Sequence, residues 1–346
     1  MIGVAKIGIA ASRGGGGATP VNPDFVSTWD TTQAGSASDT VVLPLLSGGV
    51  YSGTIDWGDG GATSSLSYAN RTHVYASSGT YTITISGTIE GWQFNNGGDK
   101  MKITDISNHG NLTITTNGAF YGCRNMDISA TDAPIIATTT IQNMYASTVG
   151  LLTGGSGLYK MNTSSVTNFH NSFAGSGFNH SLNGLDVSSC GVQGIVNMFR
   201  DAPNFANGGE SFDWSISSNI WMDDFVRGTQ YNGTLDFGQG VVRLLRTLYN
   251  ADSFDTSLAS LNIAPLTNAS SFMQLATGMS TANYDATLVG WEATLQASYP
   301  NGSGYTATIN IHFGGSQYSS ALMNVGEARY NLINVFGWTI TDGGAV

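Results

Sequence analysis

The sequence predicts a β-rich chain in three folded parts: a small N-terminal β domain, a solenoid of stacked repeats, and a C-terminal α/β cap. Three observations carry this expectation. An aromatic residue recurs at Phe120, Tyr145, Phe173, Phe199, Phe225, Tyr249 and Phe272, in steps of 23 to 28 residues. Between these anchors falls a second beat of an apolar residue followed by Asp or Asn: Met126-Asp127, Met161-Asn162, Leu185-Asp186, Phe212-Asp213, Leu235-Asp236 and Leu261-Asn262. Two beats held in phase mark a repeat architecture, in which each unit buries its apolar face only by stacking on its neighbours. Finally, charged residues make up only 10% of the chain against 46 glycines and 41% hydrophobic residues, which excludes a highly charged disordered chain and favours strands and turns.

Taken in order, residues 1–13 hold an apolar pattern, Ile2, Val4, Ile7 and Ile9, broken by Lys6 and closed by Arg13. The interruption by Lys6 and by two glycines departs from the unbroken apolar run of an export signal, so the segment is expected to be an anchoring arm that docks on a partner as an added strand. Residues 14–24, with Gly14 to Gly17 followed by Pro20 and Pro23, read as a tether that is flexible and then stiffens at its prolines. Residues 25–100 alternate in short β runs at Thr40–Leu46, Tyr51–Trp57 and Gly79–Ser86, each bounded by turn signals.

Residues 101–279 carry the repeats, expected as a right-handed solenoid of about seven coils. A period near 26 residues suits a short strand with an irregular return, roughly the size of a leucine-rich repeat. Phe120, Phe173, Phe199, Phe225, Tyr249 and Phe272 are expected in one interior file. In residues 280–346 the period changes. Tyr284, Leu288, Trp291 and Leu295 fall on one helical face, and Leu322, Val325, Leu332 and Phe336 suggest a second helix closed by Gly337. Tyr305–Phe313 and Trp338–Thr341 alternate as strands, and such an atypical unit covers the last apolar layer of a solenoid.

Two groups of motifs resemble known families. Leu185-Asp-Val-Ser-Ser189, Val166-Thr-Asn168, Asn197-Met-Phe199 and Phe178-Asn179, with the closing segments Ser280–Trp291 and Phe336–Gly344, resemble the BspA-type leucine-rich-repeat surface proteins. The resemblance implies a leucine-rich-repeat-like solenoid with an adhesive role and no catalysis. Trp57-Gly-Asp-Gly60, with His73-Val-Tyr75 and Gly79-Thr-Tyr81, resembles the polycystic-kidney-disease-type domain, which implies an Ig-like β-sandwich at residues 25–100.

Residue types that carry chemistry are sparse. Five histidines lie outside any HExxH spacing, and the two cysteines, Cys123 and Cys190, fall in different repeats and read as small buried hydrophobes, geometry alone deciding whether they pair. Asp56, Asp59 and His73 could be grouped as metal ligands, but turn chemistry accounts for an Asp between glycines, so neither a metal nor a cofactor is expected. Asp223-Asp224 could suggest glycoside hydrolysis, yet adjacent acids on a repeat read more simply as a solvated turn. Trp214, Trp221 and Tyr231 lie off or beside the aromatic beat and are the candidate ligand-binding platform, since aromatic faces stack on sugars.

A net charge of −11, from 23 acids and 12 bases, argues against nucleic acid as a partner, and no stretch has the length of a membrane span. The expected function is therefore non-enzymatic. It is a virion structural or adhesion protein whose arm, Ile2, Val4, Lys6, Ile7, Ile9 and Arg13, docks on a bacteriophage capsid or tail partner. The solenoid is then displayed in many copies, by the symmetry of the particle, to glycans on a host surface or in the environment. A bacterial cell-surface adhesin is the alternative, and a polysaccharide-degrading enzyme on a β-solenoid a second one.

Overall fold

The computed structural model describes residues 23–346. The anchoring arm and all but the last two residues of the tether lie outside the described residues.

Period-two alternation builds the N-terminal part. β1 (Phe25–Asp30) buries Phe25, Ser27 and Trp29 on one face and leaves the residues between them partly exposed. It is followed by β2 (Thr40–Val42), β3 (Leu45–Asp56), β4 (Ser64–Ser65), β5 (Thr72–Val74), β6 (Thr80–Trp92) and β7 (Ile103–Asn108). Antiparallel pairing gives the order β4-β3-β6-β1-β7, while β2 and β5 pair with each other. β3 and β6 cross where Gly53 faces Gly87, both at positive φ; a Cβ on either would meet the opposite carbonyl at 2.0 Å. Only glycine allows that approach.

A buried cation ties this part together. Lys102 is fully buried, and its Nζ donates to the carbonyls of Ala37 and Thr40 at 2.7 Å and of Ser36 at 3.1 Å. Asp99, 2% exposed, accepts from the Ser36 and Val42 N–H groups and from the Ser36 hydroxyl. The loop between β1 and β2 is thus held by side chains where no ladder is available.

The sheet runs on into the repeats without a break. β6 pairs in parallel with β8 (Leu112–Ile114), and β8 with β9 (Ile135–Ile136). The N–H groups of Phe94, Asn95 and Asn96 donate to the carbonyls of Ala119, Gly118 and Tyr121. β7 serves both sides, pairing with β1 and bridging in parallel to the next repeat at Asp105–Asp127.

Within the repeats the chain is built mainly from turns. The segments of the second beat, expected as strands, are irregular; among the described residues from 137 to 280 only β10 (Ile220–Trp221) and β11 (Val241–Arg243) are strands. What recurs is a backbone pattern. Along the centre of the inter-coil ladder, one residue in each coil donates its N–H to the next: Phe120 to Met144 (2.9 Å), Tyr145 to Ser172 (2.7 Å), Phe173 to Met198 (2.9 Å), Phe199 to Phe225 (3.0 Å), Val226 to Thr247 (3.3 Å), Leu248 to Phe272 (2.9 Å) and Met273 to His312 (2.7 Å). Two residues before and two after each of these ladder residues, φ is positive. The pairs are Gly118/Gly122, Asn143/Ser147, Asn171/Gly175, Asn197/Asp201, Asp224/Gly228, Arg246/Asn250 and Ser271/Leu275. Asn, Asp and Gly tolerate this left-handed region at low cost, which explains their recurrence and why the segments do not extend into strands.

Beneath the ladder the rings stack. Phe120, Tyr145, Phe173 and Phe199 follow one another at centroid separations of 5.4, 5.4 and 5.6 Å, and Phe225 continues edge-on at 5.5 Å. The file corrects the expectation at Tyr249. That ring is half-exposed and Leu248 is buried in its place, because from the fifth coil onward the ladder residue falls one position after Phe225 and Phe272 and one before Tyr249.

The C-terminal part contains α1 (Thr281–Ser298), β12 (Asn310–His312), α2 (Met323–Asn334) and β13 (Thr339–Thr341). Tyr284, Leu288, Trp291 and Leu295 are buried along α1, and β12 pairs in parallel with β13. In α2 the expected face holds at Val325 and Leu332, with Phe336 buried just beyond, whereas Leu322 is exposed at its N-cap. Gly337 follows at φ 71°, where glycine ends a helix at little cost.

Candidate functional site

The outer side of the stacked turns is the most regular surface of the molecule. The residue after each ladder residue falls on it, giving the file Tyr121, Ala146, Ala174, Arg200, Arg227, Tyr249, Gln274. Large side chains occupy this file in five coils and alanine in two adjacent ones. The result is a trough of about 170 Å³ lined by Tyr121, Asn143, Ala146, Ser147, Asn171, Ala174, Gly175, Arg200 and Asp201. Ala146 and Ala174 form an apolar floor. Asn143, Ser147 and Asn171 supply polar sides, and the side-chain oxygen of Asn171 is buried without a hydrogen-bond partner. Beside the trough, His170 Nε2 accepts from the Asn197 side-chain amide at 3.1 Å. Burial, and then the Arg200 guanidinium, lower the pKa of His170.

Beyond Arg200 the same face becomes an alternating charge strip. Arg200 lies 3.8 Å from Asp201, Asp201 meets Arg227 at 3.3 Å, and Arg227 reaches Asp224 at 3.3 Å. Arg246 grips Asp224 with two bonds, Nε to Oδ1 at 2.9 Å and an amino group to Oδ2 at 2.6 Å, and this raises the arginine pKa further. Asp223 pairs with Arg243 at 2.7 Å; burial raises its pKa and Arg243 opposes the rise. Arg227 lies over the Tyr249 ring and Arg243 over the Trp221 ring, at 5.1 and 4.2 Å. Asp223 and Asp224 are therefore not a solvated turn, as their adjacency suggested: both are buried, and each is committed to arginine.

The expected aromatic platform is corrected by burial. Trp214 is 5% exposed, lies 4.2 Å from the Phe212 ring and donates its indole N–H to the Leu182 carbonyl. Tyr231 is fully buried and donates its hydroxyl to the Thr234 carbonyl at 2.6 Å. Only Trp221 remains half-exposed, and Arg243 covers its face. The structure does not bring the three together as a surface, because coils built from turns carry rings between, as well as on, the aromatic anchors.

Elsewhere, Asp59 Oδ2 contacts His73 Nε2 at 2.8 Å and the His73 ring stacks on Trp57. Among the described residues no group of three or more His, Cys, Asp or Glu is arranged to hold a metal, and no helix is long and apolar enough to cross a membrane. Cys123 and Cys190 are free and buried; burial pushes the Cys190 thiol up to about 12.

Sequence reasoning missed the trough. Its signal was the pair of small residues, Ala146 and Ala174, at the position after two consecutive aromatic anchors, where the next coil carries Arg200.

Residues 114–237 match a family described as a Mycoplasma protein of unknown function, DUF285. The match spans the first five ladder residues and is consistent with the resemblance to BspA-like repeat proteins. No curated protein and no solved structure matches the chain.

Proposed function

We propose that the chain is a cell-surface binding protein of the BspA-like kind, an adhesin that uses the outer side of its stacked turns. On this reading residues 25–100 are an Ig-like β-sandwich, residues 101–279 a leucine-rich-repeat-like solenoid, and residues 280–346 its α/β cap. The observation that carries the reading is the unbroken run of seven turn pairs, which sets side chains at one repeated spacing along a single face. Such a face suits an extended ligand with its own repeat, for which weak contacts add by multivalency. The family match over residues 114–237 favours the cell-surface setting over the phage particle expected from residues 1–13. An enzymatic reading gains little, since Asp223 and Asp224 are each neutralised by arginine.

The test is a panel of immobilised polysaccharides probed with the full chain displayed on beads, with and without a chelator. Retention that survives chelation, without release of oligosaccharide, is the expected result. Failure to retain any polysaccharide, or release of soluble sugar, overturns the reading.

A further inference from the structure

We propose that the trough between Tyr121 and Arg200 is a subsite for one carboxylate-bearing pyranose, a uronic acid unit of an acidic polysaccharide, with Arg200 receiving the carboxylate. The proposal rests on the glycan-binding reading of the turn face and adds to it the place and the ligand class.

Shape comes first. The file along this face carries Tyr121, Arg200, Arg227, Tyr249 and Gln274 in five coils and alanine only at Ala146 and Ala174. Those two adjacent gaps leave about 170 Å³. A cavity of about 150 Å³ holds one benzene molecule, so this is the scale of one six-membered ring. The floor is apolar where a ring's C–H face would lie, the Tyr121 ring closes one end, and the polar sides meet hydroxyls. The Asn171 side-chain oxygen, buried and without a partner, is an acceptor for one such hydroxyl, and leaving it unmade is costly.

Charge selects the sugar. Arg200 is 42% exposed, and its nearest carboxylate, on Asp201, stands at 3.8 Å. Asp201 also faces Arg227 at 3.3 Å, so one carboxylate is shared between two guanidinium groups. The other carboxylates of the strip are taken: Asp224 by Arg246 and Arg227, and Asp223 by Arg243. Arg200, Arg227, Arg243 and Arg246 thus face only Asp201, Asp223 and Asp224. This is a local positive excess in a chain of net charge −11. A planar guanidinium with unused donors at the end of a sugar-sized trough is matched by a carboxylate, which it can hold by two parallel bonds. A neutral hexose would leave that capacity unused.

The experiment titrates the full chain by calorimetry at low salt with trigalacturonic acid and with its fully methyl-esterified form, in which each carboxylate loses its charge and carries a methyl group. The acid is expected to bind at least about tenfold more tightly, the lower end of what a hydrogen bond to a charged group contributes. Arg200→Gln should remove that advantage, bringing the acid to the affinity of the ester. Ala174→Tyr should abolish both titrations while the fold survives, because Tyr121 and Tyr249 occupy the same position in other coils. Equal binding of acid and ester overturns the choice of an acidic sugar. Unchanged binding in Ala174→Tyr overturns the site, and absence of heat with either sugar overturns the proposal as a whole. None of these results touches the adhesin reading if the polysaccharide panel still retains the chain.

Discussion

Replacing Phe199 by alanine probes the stacked core where it is densest. The ring is fully buried. It stacks on Phe173 at 5.6 Å and on Phe205 at 3.7 Å, meets Phe225 edge-on at 5.5 Å, and lies 5.9 Å from Phe212. Truncating a buried Phe to Ala costs about 3 to 5 kcal/mol through lost transfer energy and the cavity left behind. Two features place Phe199 in the upper half of that range. Aromatic pairs contribute about 0.5 to 1.5 kcal/mol each beyond burial, and neighbours held by the backbone ladder on both sides have little room to collapse into the gap. A loss of about 4 to 5 kcal/mol is therefore expected in urea unfolding followed by far-UV circular dichroism. Tyr249→Ala is the internal control: that ring is half-exposed and engages Arg227 from outside, so its loss should cost only about 1 kcal/mol. Comparable losses from the two variants would refute the interior register.

Three further outcomes are expected. Lys102→Met leaves the carbonyls of Ser36, Ala37 and Thr40 without their buried donor and should lower stability by about 3 kcal/mol or more, measured by the same unfolding assay. Leu275 is 62% exposed and sits at φ 67°, so Leu275→Asn should raise stability by about 1 kcal/mol by relieving a left-handed position, seen as a higher urea midpoint with unchanged slope. Burial works to raise the Asp132 pKa, but hydrogen bonds from the His109 ring and from the His109 and Gly110 N–H groups outweigh it and hold the carboxyl well below the usual range. A depressed folded pKa contributes stability that is fully present above the ordinary carboxylate range and is lost progressively as pH falls from that range towards the depressed folded value. The stability gap between the native chain and Asp132→Asn should therefore be widest near neutrality and close in acid, and a gap that widens in acid contradicts this.

Much of the repeat architecture was legible because stacking demands a buried residue at a fixed step, and aromatic rings mark that step visibly. The slip at Phe225 was not legible, since Val226, Leu248 and Met273 are apolar residues that satisfy the ladder as well as their aromatic neighbours do. Nor were the turns read, although Asn143, Asn171 and Asn197 lie two residues before the anchors, and Gly122 and Gly175 lie two after. Residues able to adopt positive φ on both sides of one ring point to a doubled turn, not to a strand. Trp214 and Tyr231 were misjudged for a related reason: in a coil made of turns, standing off the main beat does not put a ring outside. The trough was hidden because it is made by what two coils lack, and a missing side chain stands out only once Ala146 and Ala174 are aligned with Tyr121 and Arg200.

Hydrogen–deuterium exchange of the full chain with and without trigalacturonic acid tests the central claim most directly, because it reports where along the stack a ligand settles. Binding on the turn face predicts slowed exchange in the segments around residues 143–147, 171–175 and 200–201, with little change in the N-terminal sheet or in α1 and α2. Slowing confined to the N-terminal sheet or to α1 and α2 would contradict it.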